Sequence, residues 1–373
     1  MRALSILIKP ASGNCNMRCK YCFYADVAEN REVKSHGIMT LDTLELIVKK
    51  ALEEVEEFCL FGFQGGEPTL AGFDFYKALI EFEQKHNVNN VKIQHAIQTN
   101  GLCLDKMWAD FFMENDFLVG LSIDSTKHVH DSLRLDMNGN GTHLRCLEAA
   151  KFLNDSGTKF NILSVITKPL AMYPQKAYRF YERQKFRHIQ FIPCIDGWAG
   201  DESESDYSLT PQLYGKFLCE IFDIWYDDFV DGRYTSIRTF DNYVQILAGK
   251  PPENCAARGK CLAYPLIEAD GSVYPCDFYA LDEFLLGNIT THSFSELMNG
   301  FIAKKFASLT LTPNPECGEC TYFFVCRGGC RRDRDPDANP NGPLMKNRFC
   351  ESYKIFFAHA LQRMAHIART ISR

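Results

Sequence analysis

Residues 15–22 read Cys15-Asn16-Met17-Arg18-Cys19-Lys20-Tyr21-Cys22, a C-x3-C-x2-C triplet directly after the first apolar run of the chain, Leu4 to Lys9. Three thiolates fall one short of a closed tetrahedral site. Structural zinc is normally closed by four ligands, whereas a four-iron cluster on three cysteines keeps one iron open to a small molecule. The triplet therefore points to a reactive cluster in the loop that follows a strand.

Outward from the triplet, short apolar runs alternate with amphipathic stretches, the pattern of βα units around a parallel sheet. Strands are predicted near Leu4 to Lys9, Phe58 to Gln64, Lys92 to Thr99, Leu118 to Ser122, Lys159 to Val165 and His188 to Ile192. Helices are predicted near Leu41 to Glu57, Phe73 to His86, Asp105 to Asn115, Leu144 to Ser156 and Pro174 to Gln184. Six repeats predict an α/β fold, a partial (β/α)6 TIM-like barrel, with chemistry at the C-terminal strand ends. Unusual residues gather there: the cysteine triplet, Gln64-Gly65-Gly66-Glu67-Pro68, Gln98-Thr99-Asn100-Gly101 and Ser122-Ile123-Asp124. Each alone also reads as a turn or a helix cap. Their shared position on one rim is what sets them apart.

The segment Asp196 to Ser208 is rich in Asp, Glu, Ser and Gly and is predicted as an exposed loop. Thr210-Pro211 then opens a helix through Trp225 and Phe229, with Thr as cap and Pro at the first helical position. Beyond about Arg233 the chain becomes cysteine-dense and closes with a helix from Tyr353 to Ile371. The expected division is 1–233 for the barrel and 234–373 for a cysteine-rich C-terminal domain. That second part carries Cys255, Cys261, Cys276, Cys317, Cys320, Cys326, Cys330 and Cys350, enough for two sets of four. Two zinc ribbons are the alternative reading of this spacing; the open triplet at Cys15 favours iron and sulfur. Cys59, Cys103, Cys146, Cys194 and Cys219 lie among apolar neighbours and read as packed thiols.

Composition agrees with a globular protein: 46% hydrophobic and 24% charged residues, with a formal net charge of −6. No basic excess suggests nucleic acid. The N-terminal apolar run is too short for a signal peptide, and no apolar stretch is long enough to span a bilayer, so a cytoplasmic protein without a membrane partner is expected. Sixteen cysteines in that compartment read as metal ligands before disulfides. The ten histidines form no HExxH, which argues against a zinc hydrolase.

The run CNMRCKYC, followed by GGEP, resembles the radical S-adenosylmethionine superfamily. The resemblance implies a [4Fe-4S] cluster on Cys15, Cys19 and Cys22, whose open iron chelates S-adenosylmethionine to generate a 5′-deoxyadenosyl radical. It also implies that Tyr21 belongs to the cofactor motif, that Gly65, Gly66 and Glu67 lie against the methionine moiety, and that Ser122 and Asp124 contact the ribose or amino group. The C-terminal pattern resembles the SPASM extension, which implies two auxiliary [4Fe-4S] clusters, three in all. One falls to Cys255, Cys261, Cys276 and Cys330, the other to Cys317, Cys320, Cys326 and Cys350. The runs SILIKPAS, FGFQGGEPTL, QTNG, GLSID and DGSVYPCDFYALDE look like anaerobic sulfatase-maturing enzymes, which oxidise a Cys or Ser in a Cys-x-Pro-x-Arg type sequence to Cα-formylglycine. By that resemblance Asp277 is the base, Tyr24 and Gln64 position substrate, the partner is an unfolded sulfatase or peptide, and flavodoxin or ferredoxin supplies electrons. Competing readings are a SPASM-type maturase that forms thioether or carbon-carbon crosslinks in a ribosomal peptide, and a zinc-stabilised binding protein.

Overall fold

A computed structural model of the chain describes residues 1–198 and 205–371. Two compact units are present, neither a continuous segment. The first comprises Met1–Ser122, Arg134–Phe160 and Ala263–Phe306; the second comprises Ile123–Leu133, Asn161–Leu262 and Ala307–Arg373.

In the first unit the strands are β1 (Ala3–Ile8), β2 (Phe58–Phe63), β3 (Lys92–Thr99) and β4 (Phe117–Ser122), parallel and in sequence order. Parallel neighbours need a crossover, and the helices Leu41–Glu54, Phe73–His86 and Lys106–Glu114 provide it. Thr40 and Asp105 cap the first and third of these through Thr43 N and Trp108 N. Phe63, Tyr76, Trp108, Phe112 and Phe117 bury edge-to-face and tilted ring contacts in the core.

The second unit carries β5 (Phe160–Ile166, all but its first residue), β6 (His188–Pro193) and β7 (Ser236–Ile237), also parallel. Its helices Pro211–Val230 and Cys350–Ile371 pack through Phe222 and Phe356, whose rings lie 5.7 Å apart. Phe240 joins them from the helix Arg238–Leu247.

All six expected strands and all five expected βα helices are present, within about three residues at each end. The closing helix starts at Cys350 rather than Tyr353, which places that cysteine in its first turn. Unanticipated elements include the helix Phe23–Glu29, the helix Arg238–Leu247 and four short strands: β7, β8 (Leu266–Ile267), β9 (Ser272–Tyr274) and β10 (Gly287–Asn288). Strands of two or three residues are too short to display a period. Of the expected exposed loop at 196–208, residues 199–204 lie outside the described residues. At its start Asp196 and Gly197 are exposed as expected, whereas Trp198 is buried beneath the Arg332 guanidinium, 3.5 Å from its ring centre, where the cation meets the face of the ring. Cys59, Cys146 and Cys194 are buried as expected of packed thiols, whereas Cys103 and Cys219 are half-buried. Among the described residues no helix is long and apolar enough to cross a membrane.

The short strands matter because β8 pairs with β1. Leu7 N donates to Pro265 O at 2.9 Å and Lys9 N to Ile267 O at 2.8 Å. A buried ion cluster fastens this seam. Lys9 Nζ and Arg31 Nη1 both donate to Glu268 Oε1, at 2.5 and 2.6 Å, with all three side chains almost fully buried. Burial alone would push the Glu268 carboxyl up, but the two cations hold it down at about 2. A depressed folded value stabilises above the ordinary 4.5 and loses that stabilisation as pH falls towards 2. Replacing Glu268 by Ala leaves two buried cations facing each other. We expect this to cost about 3–5 kcal/mol, read as a lower urea midpoint of the cluster-loaded protein near neutral pH; an unchanged midpoint would show that the cluster is not needed for the seam.

Candidate active site

β1 runs into Lys9 and Pro10, and the chain turns through Ser12 and Asn14 to Cys15. Gly65 and Gly66, after β2, pack against this turn. A Cβ on Gly65 would stand 2.4 Å from Lys9 Cε, and one on Gly66 would stand 2.1 Å from Asn14 O. Both glycines have positive φ, 83° and 53°, so close approach and backbone conformation require glycine together. Glu67 N closes the contact by donating to Asn14 O at 2.8 Å.

The Glu67 side chain is 1% exposed and turns away from the glycines. Its Oε1 accepts from Thr69 N at 3.1 Å, Thr69 Oγ1 at 2.6 Å and Thr99 Oγ1 at 2.7 Å, and its Oε2 accepts from Asn100 N at 2.7 Å. Burial raises its pKa, against these hydrogen bonds. The carboxylate thus clamps the GGEP loop to the QTNG loop. Asn100 Nδ2 in turn donates to Asn16 Oδ1 at 2.7 Å and approaches Cys15 Sγ at 3.8 Å.

Cys15, Cys19 and Cys22 are half-buried; burial, with smaller contributions from the charges of Glu67, Cys19 and Cys22, pushes the Cys15 thiol up to about 12. Met17 N donates to Cys15 Sγ at 3.4 Å. Arg134 Nη1 donates to the Tyr21 hydroxyl at 2.9 Å. Ser122 ends β4 half-buried in the first unit. Asp124 belongs to the second unit, buried, with Oδ1 accepting from Val165 N at 2.9 Å.

Cys22 is also the N-cap residue of the helix Phe23–Glu29, which presents Tyr24 in its first turn. Cys276 occupies the equivalent place before the 3-10 turn Asp277–Tyr279. These two short elements pack through Phe23 and Phe278, ring centres 4.7 Å apart, and so bring Tyr24 and Asp277 together. Asp277 is 8% exposed. Its Oδ2 accepts from Gln64 Nε2 at 2.8 Å and from the Tyr24 hydroxyl at 3.4 Å; Gln64 and Tyr24 also hydrogen bond to each other. Its Oδ1 accepts from the Tyr264 hydroxyl at 2.7 Å. Burial, then the Asp277 charge, raises the pKa of both tyrosines well above the usual range, so they remain donors.

In the second unit, Cys326 has Cys317, Cys320 and Cys350 as electrostatic neighbours, and Cys330 has Cys255 and Cys261. Burial pushes Cys326 and Cys261 up to about 11. Such thiols stay protonated until a metal displaces the proton, and clustered soft sulfur donors suit iron-sulfur ligation. Among the described residues no group of three or more His, Cys, Asp or Glu is gathered for a single metal ion. A donor set of sulfur alone is the set that an iron-sulfur cluster takes.

Sequence reading brought Asp277, Gln64 and Tyr24 forward but not Tyr264, Arg134, Asn100 or Lys9. Asn100 lay within the QTNG run already singled out. Tyr264 and Arg134 carry no local signal, since their partners lie at the far end of the chain or across a loop.

The family model for the radical SAM superfamily matches residues 10–169, and that for the SPASM iron-sulfur cluster-binding domain matches residues 261–321. A cysteine-type anaerobic sulfatase-maturating enzyme of Clostridium novyi is 47% identical over 372 residues, covering 100% of this chain and 99% of that protein. A serine-type enzyme of Bacteroides thetaiotaomicron is 28% identical, over 97% and 91% of the two chains. A solved structure of native anSMEcpe with bound AdoMet and Cp18Cys peptide superposes with a TM-score of 0.94 at 43% identity, covering 99% of each chain. With a relative this similar along its whole length, the chain belongs to the anaerobic sulfatase-maturating enzymes, radical SAM oxidoreductases that carry a SPASM iron-sulfur domain and use S-adenosylmethionine.

Proposed function

We propose that this chain oxidises the cysteine of a Cys-x-Pro-x-Arg type sulfatase peptide to Cα-formylglycine, with Asp277 as the base. The observation that carries the reading is the buried Asp277 carboxylate, held by Gln64 and Tyr24 and adjacent in sequence to Cys276. Cysteine is favoured over serine as substrate because the cysteine-type relative is 47% identical and the serine-type relative 28%.

When bound, S-adenosylmethionine and the clusters supply hydrogen-atom abstraction from the substrate Cβ and take up the second electron. The remaining proton leaves the thiol, and a carboxylate is its natural acceptor. The thioaldehyde that results is hydrolysed to the aldehyde with release of sulfide, so atoms and electrons balance. Gln64 fixes the carboxylate at 2.8 Å, whereas the 3.4 Å contact from Tyr24 is loose enough for a thiol to displace. That assigns orientation of Asp277 to Gln64 and contact with the peptide to Tyr24.

We assign the cluster ligands as Cys15, Cys19 and Cys22 for the radical cluster; Cys255, Cys261, Cys276 and Cys330 for one auxiliary cluster; and Cys317, Cys320, Cys326 and Cys350 for the other. Residues 1–233 then form the radical core and 234–373 the auxiliary extension. Gly65 and Gly66 offer the backbone surface for the methionine moiety, with Tyr21 and Ser122 beside the cofactor; Glu67 and Asp124 support their loops through the backbone bonds described above. The substrate is taken as an unfolded sulfatase segment, with a flavodoxin or ferredoxin as donor in the cytoplasm.

Anaerobic iron and sulfide analysis should find about twelve irons per chain. The triple variant Cys15→Ala, Cys19→Ala, Cys22→Ala should retain about eight and form no 5′-deoxyadenosine. A folded, zinc-containing and iron-free native protein would overturn the assignment. With S-adenosylmethionine, a reductant and a Cys-x-Pro-x-Arg peptide, native protein should yield formylglycine by mass spectrometry. Asp277→Asn should still release 5′-deoxyadenosine while its formylglycine yield falls by about a hundredfold or more; undiminished product would remove Asp277 from the base role.

A further inference from the structure

We infer that Tyr264 is a positioning residue for the reaction, its hydroxyl holding the Asp277 carboxylate on the oxygen that Gln64 and Tyr24 leave untouched while lying against the sulfur of Cys276. The inference rests on the reading of Asp277 as the base.

Gln64 and Tyr24 both reach Oδ2, at 2.8 and 3.4 Å. Bonds to one oxygen leave the carboxyl plane free to rotate about its last torsion, which is broad and roughly two-fold for Asp. The Tyr264 hydroxyl donates to Oδ1 at 2.7 Å and removes that freedom. A base must stand within hydrogen-bond reach of the proton it takes, so a fixed carboxyl plane bears directly on the yield of each radical event.

The neighbouring sulfur makes this donor more important. Cys276 Sγ lies 3.3 Å from Asp277 Oδ1, and the Tyr264 hydroxyl is 3.6 Å from the same sulfur. In a thiolate ligand that sulfur carries no proton, leaving two anionic atoms side by side. Like charges at this separation repel, and a hydroxyl facing both is the group that keeps them together. Tyr264 is itself placed by its own backbone, with N donating to Pro275 O at 3.1 Å just before Cys276. The phenol stays protonated and brings a single donor to this point, so it holds Asp277 without being able to take the substrate proton itself.

Removing only the oxygen tests the idea. The cluster-loaded Tyr264→Phe variant, assayed anaerobically with S-adenosylmethionine, reductant and a Cys-x-Pro-x-Arg peptide, should release 5′-deoxyadenosine within about threefold of the native rate. Its formylglycine should drop about tenfold or more, with the peptide KM little changed. An EPR-monitored redox titration should show an auxiliary cluster moved to more negative potential, because the hydroxyl dipole beside its sulfur has gone. A native ratio of formylglycine to 5′-deoxyadenosine, or an unmoved potential, overturns the inference. Asp277→Asn runs alongside: if it keeps the native ratio, the base reading fails and this inference with it, whereas uncoupling in Asp277→Asn alone defeats only the role of Tyr264. Should Tyr264→Phe fail to load iron, a fluorotyrosine at position 264 keeps the shape and alters donor strength, and a ratio that does not move with it overturns the inference equally.

Discussion

The site is organised by two cations sharing one carboxylate. Lys9 stands at the end of β1, Arg31 just beyond the helix Phe23–Glu29, and Glu268 immediately after β8, so their meeting at Glu268 Oε1 ties three remote stretches to one point. Taking these charges out of water is expensive, and only their mutual attraction in a poorly screened interior offsets it. The arrangement therefore specifies more than it stabilises. It fixes β8 against β1, and with it Tyr264, Cys276 and Asp277 relative to the loop that carries Cys15. Lys9 extends the effect, its aliphatic stem against Gly65 and its ammonium 5.4 Å from the centre of the Tyr24 ring.

Around that point each polar group serves a neighbour. Glu67, in a motif that invites a ligand-contacting role, spends both oxygens on Thr69, Thr99 and Asn100. The glycines before it are then the part of the motif that faces outward from the clamp. Asp277 has the opposite arrangement: side-chain donors hold both its oxygens, and the loosest of them is the tyrosine assigned to the peptide.

How much of this was legible in the sequence follows from the range of the interactions. The six βα strands and the helix opening at Thr210-Pro211 depend on local period and capping, and they read correctly. Trp198 did not, because its polar, glycine-containing surroundings suggested exposure while the Arg332 guanidinium that covers it lies far along the chain. The strand pairing of β8 with β1 was equally hidden, since two residues, Leu266 and Ile267, carry no alternation to detect. Asp277 was found by resemblance, but its partner Tyr264 was not. An ordinary Tyr-Pro pair announces nothing until the backbone brings its hydroxyl to a carboxylate.

The capping arrangement of Cys22 and Cys276 has a consequence for placement. Each cysteine starts a short element that carries a member of the hydrogen-bonded network around Gln64: Tyr24 is two residues after the first cysteine and Asp277 one after the second. One or two residues of backbone therefore separate each of these sulfurs from a side chain of the Tyr24–Gln64–Asp277 network, so that the cysteine and its neighbour are placed by the same turn.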